Sequence, residues 1–111
     1  MNIPFEITDW NKIPTAENEG KSGYSRIRGF EQDGLKVRIV EYSADYLADH
    51  WCEKGHIVYC IDGECELELS DGRKFVLTKG MGFQVSDNLG SHRIFSKKGV
   101  KFFIVDGEFL K

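Results

Sequence analysis

Apolar and polar residues alternate with a period of two along much of this chain. Glu64 to Leu69 (ECELEL) is the cleanest case. Cys65, Leu67 and Leu69 fall on one face and the glutamates on the other, as in a strand with one side buried. Leu35 to Tyr42 (LKVRIVEY) alternates in the same way and is rich in β-branched residues. Lys101 to Val105 (KFFIV) is apolar nearly throughout, as expected of a strand covered on both sides or lying at an interface. Asp33-Gly34, Asp62-Gly63 and Asp71-Gly72 lie between such segments and are expected to be turns. Counted coarsely, the pattern gives roughly nine or ten short strands and predicts an all-β sandwich or small barrel. A further apolar strand is expected from Ile3 to Ile7. Ala44 to Ala48 is the best helical candidate and is too short to stand alone. Thr15 to Gly23 is polar and reads as an exposed loop.

Composition narrows the picture. The 111 residues make one domain, 1–111, and 41% hydrophobic content with eight Phe is enough for a packed interior. The net charge of -3 comes from interleaved signs, so no basic stripe invites a phosphate backbone, and nucleic acid is not expected as a partner. No apolar run approaches the ~20 residues of a membrane span. The start MNIPFEITDW lacks the basic and apolar regions of a signal peptide, so a cytoplasmic location is expected. Three cysteines, an odd number, argue for reduced thiols rather than a disulfide framework, and a reduced thiol can bind metal.

The candidate chemistry is concentrated in Asp49-His50-Trp51-Cys52-Glu53-Lys54-Gly55-His56 and in His92, which together hold every histidine of the chain. On a strand, His50 and Cys52 point to the same face. Glu53-Lys54-Gly55 can turn the chain so that His56 opens the next strand facing the same interior. A closed barrel can then bring in His92 from a distant strand. Imidazole nitrogen and thiolate sulfur are the donors that borderline metals prefer. Asp49 is a candidate partner for a ligating imidazole. Cys60, on the inward parity of His56, could border the site, though a buried inert thiol is its ordinary role. Arg93 could hold an anion, and Gln84 is a plausible polar pocket group. Trp51 points away from His50. Met81 and Phe83 read as core. A Cys52–His56 nucleophile and base pair is a last alternative, since it leaves His50 and His92 unused.

These residues resemble the cupins. Cupins carry a first motif with two closely spaced His, then a Glu and a Gly, and a second motif that opens on Gly and ends on another His. Here His50, Cys52, His56 and Gly63 fall on the first motif, and Gly80 and His92 on the ends of the second. IVYCIDGECELEL looks like the strand-turn-strand of a cupin barrel, and SDGRKFVLTKG like the hairpin after it. DHWC and the ending FFIVD are similar to a small group of single-domain cupins named for a DHCW motif. The likeness covers roughly residues 34–106. This chain departs from the pattern where Cys52 replaces the second His and His56 the Glu. Ser86 and Asn88 also stand where Pro and Gly are usual.

The resemblance implies a jelly-roll barrel (a double-stranded β-helix) holding one divalent metal on His50, Cys52, His56 and His92, next to a pocket for a small molecule. It also implies a homodimer, for which the apolar segments 3–7 and 102–105 are suited. A thiolate ligand moves the site toward zinc, with iron, nickel and manganese as alternatives. Two functions compete. One is a metalloenzyme of isomerase, hydrolase or dioxygenase type. The other is a non-catalytic binding module whose metal is structural, which a closed shell of four protein ligands would favour.

Overall fold

A computed structural model describes all 111 residues. Nine strands carry the fold: β1 (Ala16–Glu19), β2 (Tyr24–Gln32), β3 (Leu35–Tyr42), β4 (Tyr46–Leu47), β5 (His56–Leu69), β6 (Lys74–Thr78), β7 (Gly82–Val85), β8 (His92–Ser96) and β9 (Val100–Gly107). The only helical segments are single 3-10 turns at Trp10–Lys12 and Glu108–Leu110. All strand pairings are antiparallel, so each neighbour can be reached by a short turn.

The fourteen-residue β5 is the spine. Its first part pairs with β7 and β9, on the sheet that continues through β3 and β2 to β1. Its second part pairs with β6 and β8, and β8 leads to β4. Asp62-Gly63, expected to be a turn, instead lies inside this strand directly after a bulge at Ile61, where the register with β9 shifts between Cys60 and Asp62. Gly63 has φ +80°, a conformation that a side chain opposes, and a β-carbon there would run into the Gly99 carbonyl. The extra residue switches parity. His56, Val58 and Cys60 face inward before the bulge, and Cys65 and Leu67 face inward after it. One strand can therefore serve two facing sheets, as in a jelly roll.

The core lies between those sheets. Val40, Val58, Cys60, Phe102 and Ile104 meet Cys65, Leu67, Leu77 and Ile94. Burial raises the Cys65 thiol to about 12 and also raises Cys60, so both are inert hydrophobes here. Asp33-Gly34 behaves as expected. Its φ values of 47° and 80° suit the tight turn that joins β2 to β3.

Three expected elements differ. Ile3 to Ile7 forms no strand and is largely exposed, Phe5 at 93%, because no β-edge pairs with it. Thr15 to Gly23 contains β1, whose polar residues are held by backbone pairing to β2 rather than by burial. Ala44 to Ala48 contains a turn at Asp45 (φ 58°) and then β4, paired to Ser96 and Phe95. No helix is long and apolar enough to cross a membrane.

Candidate metal centre

The centre is assembled from the start of β5, the start of β8 and the loop before β5. Cys52 lies on that loop and is locked to β8 by a pair of backbone bonds. Its N–H donates to the His92 carbonyl at 2.7 Å, and the His92 N–H donates back at 3.0 Å. The rest of the loop is fastened to residues 87–88. The Gly55 N–H donates to Asp87 Oδ1 at 2.6 Å, and the Asn88 N–H to the Glu53 carbonyl at 2.8 Å.

These restraints bring one donor atom each of Cys52, His56 and His92 within 4.8 Å of one another. Cys52 Sγ is 3.3 Å from His56 Nε2, and the two imidazoles stand nearly perpendicular with centroids 5.5 Å apart. The outer ring nitrogens are held. His56 Nδ1–H donates to Asp106 Oδ2 at 3.1 Å, and His92 Nδ1–H to the Gly90 carbonyl at 2.8 Å. In the metal-free state an imidazole Nε2–H faces the sulfur; with a metal in place of that proton, Nδ1 keeps its hydrogen and the Nε2 lone pair would be free to ligate. That tautomer is the one a metal ligand requires. Hydrogen bonding from His56 and then His92 draws the Cys52 thiol down to about 5, so it is a thiolate at neutral pH. Burial works against charge on His92, but the Cys52 sulfur and the Gly90 carbonyl outweigh it and raise its pKa.

One sulfur and two nitrogens, convergent and supported from behind, fit a divalent metal ion. Cys52, His56 and His92 would hold it. A metal there would supply Lewis acidity.

His50 is the expected ligand that the structure does not bring in. Its ring is 76% exposed and Nδ1 bonds to Asp49 Oδ1 at 2.7 Å. The chain bends at residues 49–50 instead of running extended, so the same-face relation to Cys52 does not apply. His50 and Asp49 lie at the rim of a cavity of about 570 Å³ that the cluster also lines. That volume suits a small molecule. Arg93 borders the same cavity, but its Nε bonds to Glu68 at 2.8 Å and its guanidinium lies 4.4 Å over the Trp51 ring. Gln84 pairs with Ile57 on the outer face and is exposed, and so is Met81. Phe83 lies across the wall, its ring centroid 5.4 Å from that of His92. Cys60 is fully buried and bonds to the Asp62 carbonyl at 3.4 Å.

Sequence reasoning missed Asp106 and Arg38. Asp106 Oδ2 also accepts from Arg38 Nη2 at 3.0 Å, so a guanidinium and an imidazole share one carboxylate oxygen. The signal was legible in part. Asp106 follows Phe102 and Ile104 on the inward parity of β9, where a charge needs a buried partner.

No protein-family model matches the sequence, and no curated protein matches it. Solved structures do resemble it. Ectoine synthase from P. lautus aligns with a TM-score of 0.75 at 18% identity, over 93% of this chain and 78% of its own. An RmlC-like cupin from Shewanella frigidimarina aligns with a TM-score of 0.70 at 19% identity, over 94% and 91%. Fe(II)-HppE with the alternative substrate (S)-1-HPP aligns with a TM-score of 0.75 at 13% identity, over 92% and 60%. The chain has the cupin fold.

Proposed function

We propose that this protein binds one divalent metal, zinc by preference, on Cys52, His56 and His92, and acts as a metalloenzyme on a small molecule held in the adjoining cavity. The observation that carries this reading is the convergence of three donors, with both outer imidazole nitrogens held, on the wall of a cavity of about 570 Å³. Three protein ligands leave coordination open, as catalytic sites do. The thiolate favours zinc over iron, because a bound sulfur is itself open to oxidation. The Fe(II) in HppE makes iron the alternative for a fold of this kind.

Elemental analysis of untagged protein tests the reading. About one zinc per chain is expected, lost in His56→Ala and His92→Ala, reduced in Cys52→Ser and retained in His50→Ala. Loss in His50→Ala would restore a closed four-ligand shell. A non-catalytic, structural metal is the second reading, favoured by Cys52 among the ligands and by its backbone tie to β8. Cobalt substitution separates the two. A spectrum that changes when small ligands are added supports an open site, and an invariant tetrahedral spectrum supports the structural one.

The same reading includes a homodimer through the outer face of the larger sheet, where Ile57 and Tyr59 stand 43% and 52% exposed. Light scattering should return twice the 12.7 kDa chain mass. A reduced compartment, the cytoplasm, suits a thiolate ligand and three free cysteines, and cell fractionation tests it.

A further inference from the structure

Across the cavity from the sulfur ligand, β3 presents a guanidinium that the protein satisfies only in part. Lys36, Arg38 and Tyr42 line the cavity from this strand. Arg38 is drawn in until its side chain is 19% exposed, and Asp106 is its one protein partner, through Nη2. Nε is buried with no partner at all, and Nη1 has none within the protein. A guanidinium carries five N–H donors in a planar fork, so most of its capacity here is uncommitted. The cavity it faces is also lined by Val58, Phe102 and Ile104, so a polar ligand there would find the guanidinium fork among apolar walls.

The neighbouring strand makes room for this side chain. Gly29 is the β2 residue paired with Arg38, and a β-carbon on Gly29 would meet the Val37 carbonyl oxygen at 2.2 Å first and Arg38 Cγ at 2.9 Å, so the close approach of the two strands as well as this side chain needs a glycine. Above the guanidinium, Lys36 adds a second cation at the exposed end of the strand. Tyr42, kept protonated by burial and then by neighbouring Tyr46, supplies a neutral donor deeper in. Arg38 is also close to the ligand cluster. The oxygen it bonds is the one that holds His56, so a group on Arg38 lies within a small molecule's length of the His56 ring.

We propose that Arg38 seats the carboxylate of a small organic acid in this cavity, so that the remainder of the acid lies toward Cys52, His56 and His92. The position beside a metal rests on the functional reading above, whereas the seat itself rests on the guanidinium. A carboxylate is the anion that matches a planar fork edge to edge.

The test uses butyrate and its neutral isostere butyramide as probes. Wild type, Arg38→Met and Arg38→Lys are titrated after zinc loading, amide NMR shifts are followed, and the zinc content of each protein is measured. In wild type, butyrate should shift β3 and β9 amides saturably, while butyramide at equal concentration should not. Arg38→Met should weaken butyrate about tenfold or more with zinc retained. Arg38→Lys, which keeps the charge but not the fork, should fall between them. Equal butyrate binding in wild type and Arg38→Met would overturn the seat and leave the metal reading standing. Loss of zinc in Arg38→Met would overturn it too, because Arg38 would then act through Asp106 on the ligands. Wild type that holds no zinc yet binds butyrate through Arg38 supports the seat and sinks the metal reading. Should the Arg38→Met spectrum show an unfolded chain, Arg38→Lys decides: butyrate bound as in wild type overturns the fork.

Discussion

Asp106→Asn is the most informative single change, because it removes one charge and almost no volume. In the wild type, Asp106 Oδ2 accepts from His56 Nδ1 at 3.1 Å and from Arg38 Nη2 at 3.0 Å, and the side chain is 7% exposed. The amide oxygen can still accept a hydrogen bond, but without the charge that steadies a metal-bound imidazole and balances the guanidinium. Partners behind a ligating His typically control ~10–100-fold in metal affinity, which corresponds to about 1.4–2.8 kcal/mol. Removing one member of a fully buried ion pair costs about 3–5 kcal/mol. Arg38 retains 19% exposure and the amide keeps a dipole, so about 2 kcal/mol is expected for the metal-free protein. A stability of about 5–15 kcal/mol absorbs that loss and the variant stays folded. Zinc affinity is read by competition with a chromophoric chelator, and stability by urea unfolding of the metal-free protein. Affinity should fall ~10–100-fold, and the urea midpoint should drop by about 1 M. A folded Asp106→Asn protein with wild-type zinc affinity would refute the reasoning, since His56 would then not depend on its carboxylate to serve the metal.

Other outcomes follow from the same geometry. In metal-free protein, iodoacetamide should modify Cys52 at neutral pH well before Cys60 or Cys65, whose thiols burial raises. The sign follows from the lowered Cys52 pKa: the thiolate persists as pH falls and the rate drops only as pH passes through about 5. A rate that halves near the ordinary thiol value of about 8.5 would count against the His56 and His92 contacts. Chelation should lower the melting temperature of zinc-loaded protein, since metal at about one hundred times its dissociation constant stabilises the native state by about 2.7 kcal/mol. An unchanged melting temperature after verified zinc removal would contradict this linkage. Gly63→Ala should cost about 1–2 kcal/mol for the backbone conformation alone, and more once the β-carbon meets the Gly99 carbonyl. A wild-type urea midpoint would show that the strand after the bulge does not need glycine.

Alternation within single strands was legible in the sequence because it depends only on neighbouring residues. Cys65 and Leu67 were placed inward from their own segment, and so was Cys60 from its own, and all three are buried. That those segments form one strand was not legible. Asp-Gly suits a hairpin and a bulged strand alike, and only pairing with Val100 selects the strand. Polar strands such as β1 escape a hydrophobic pattern because backbone bonds to β2 hold them.

An all-β chain and a cluster of Cys and His candidates can be read from residue types and short spacings alone. The same spacings placed Cys52, His56 and His92 among the candidates. That these three converge while His50 turns outward emerges from the folded chain. The difference is a bend at residues 49–50, which spacing along an assumed strand does not reveal. The tertiary structure likewise put Asp106 behind His56 and Arg38 behind Asp106. Their partners lie 50 and 68 residues away in the chain, and they meet only where β3, β9 and β5 close side by side. Local pattern reports which face a residue takes, whereas the closing of the sheet determines what that face meets.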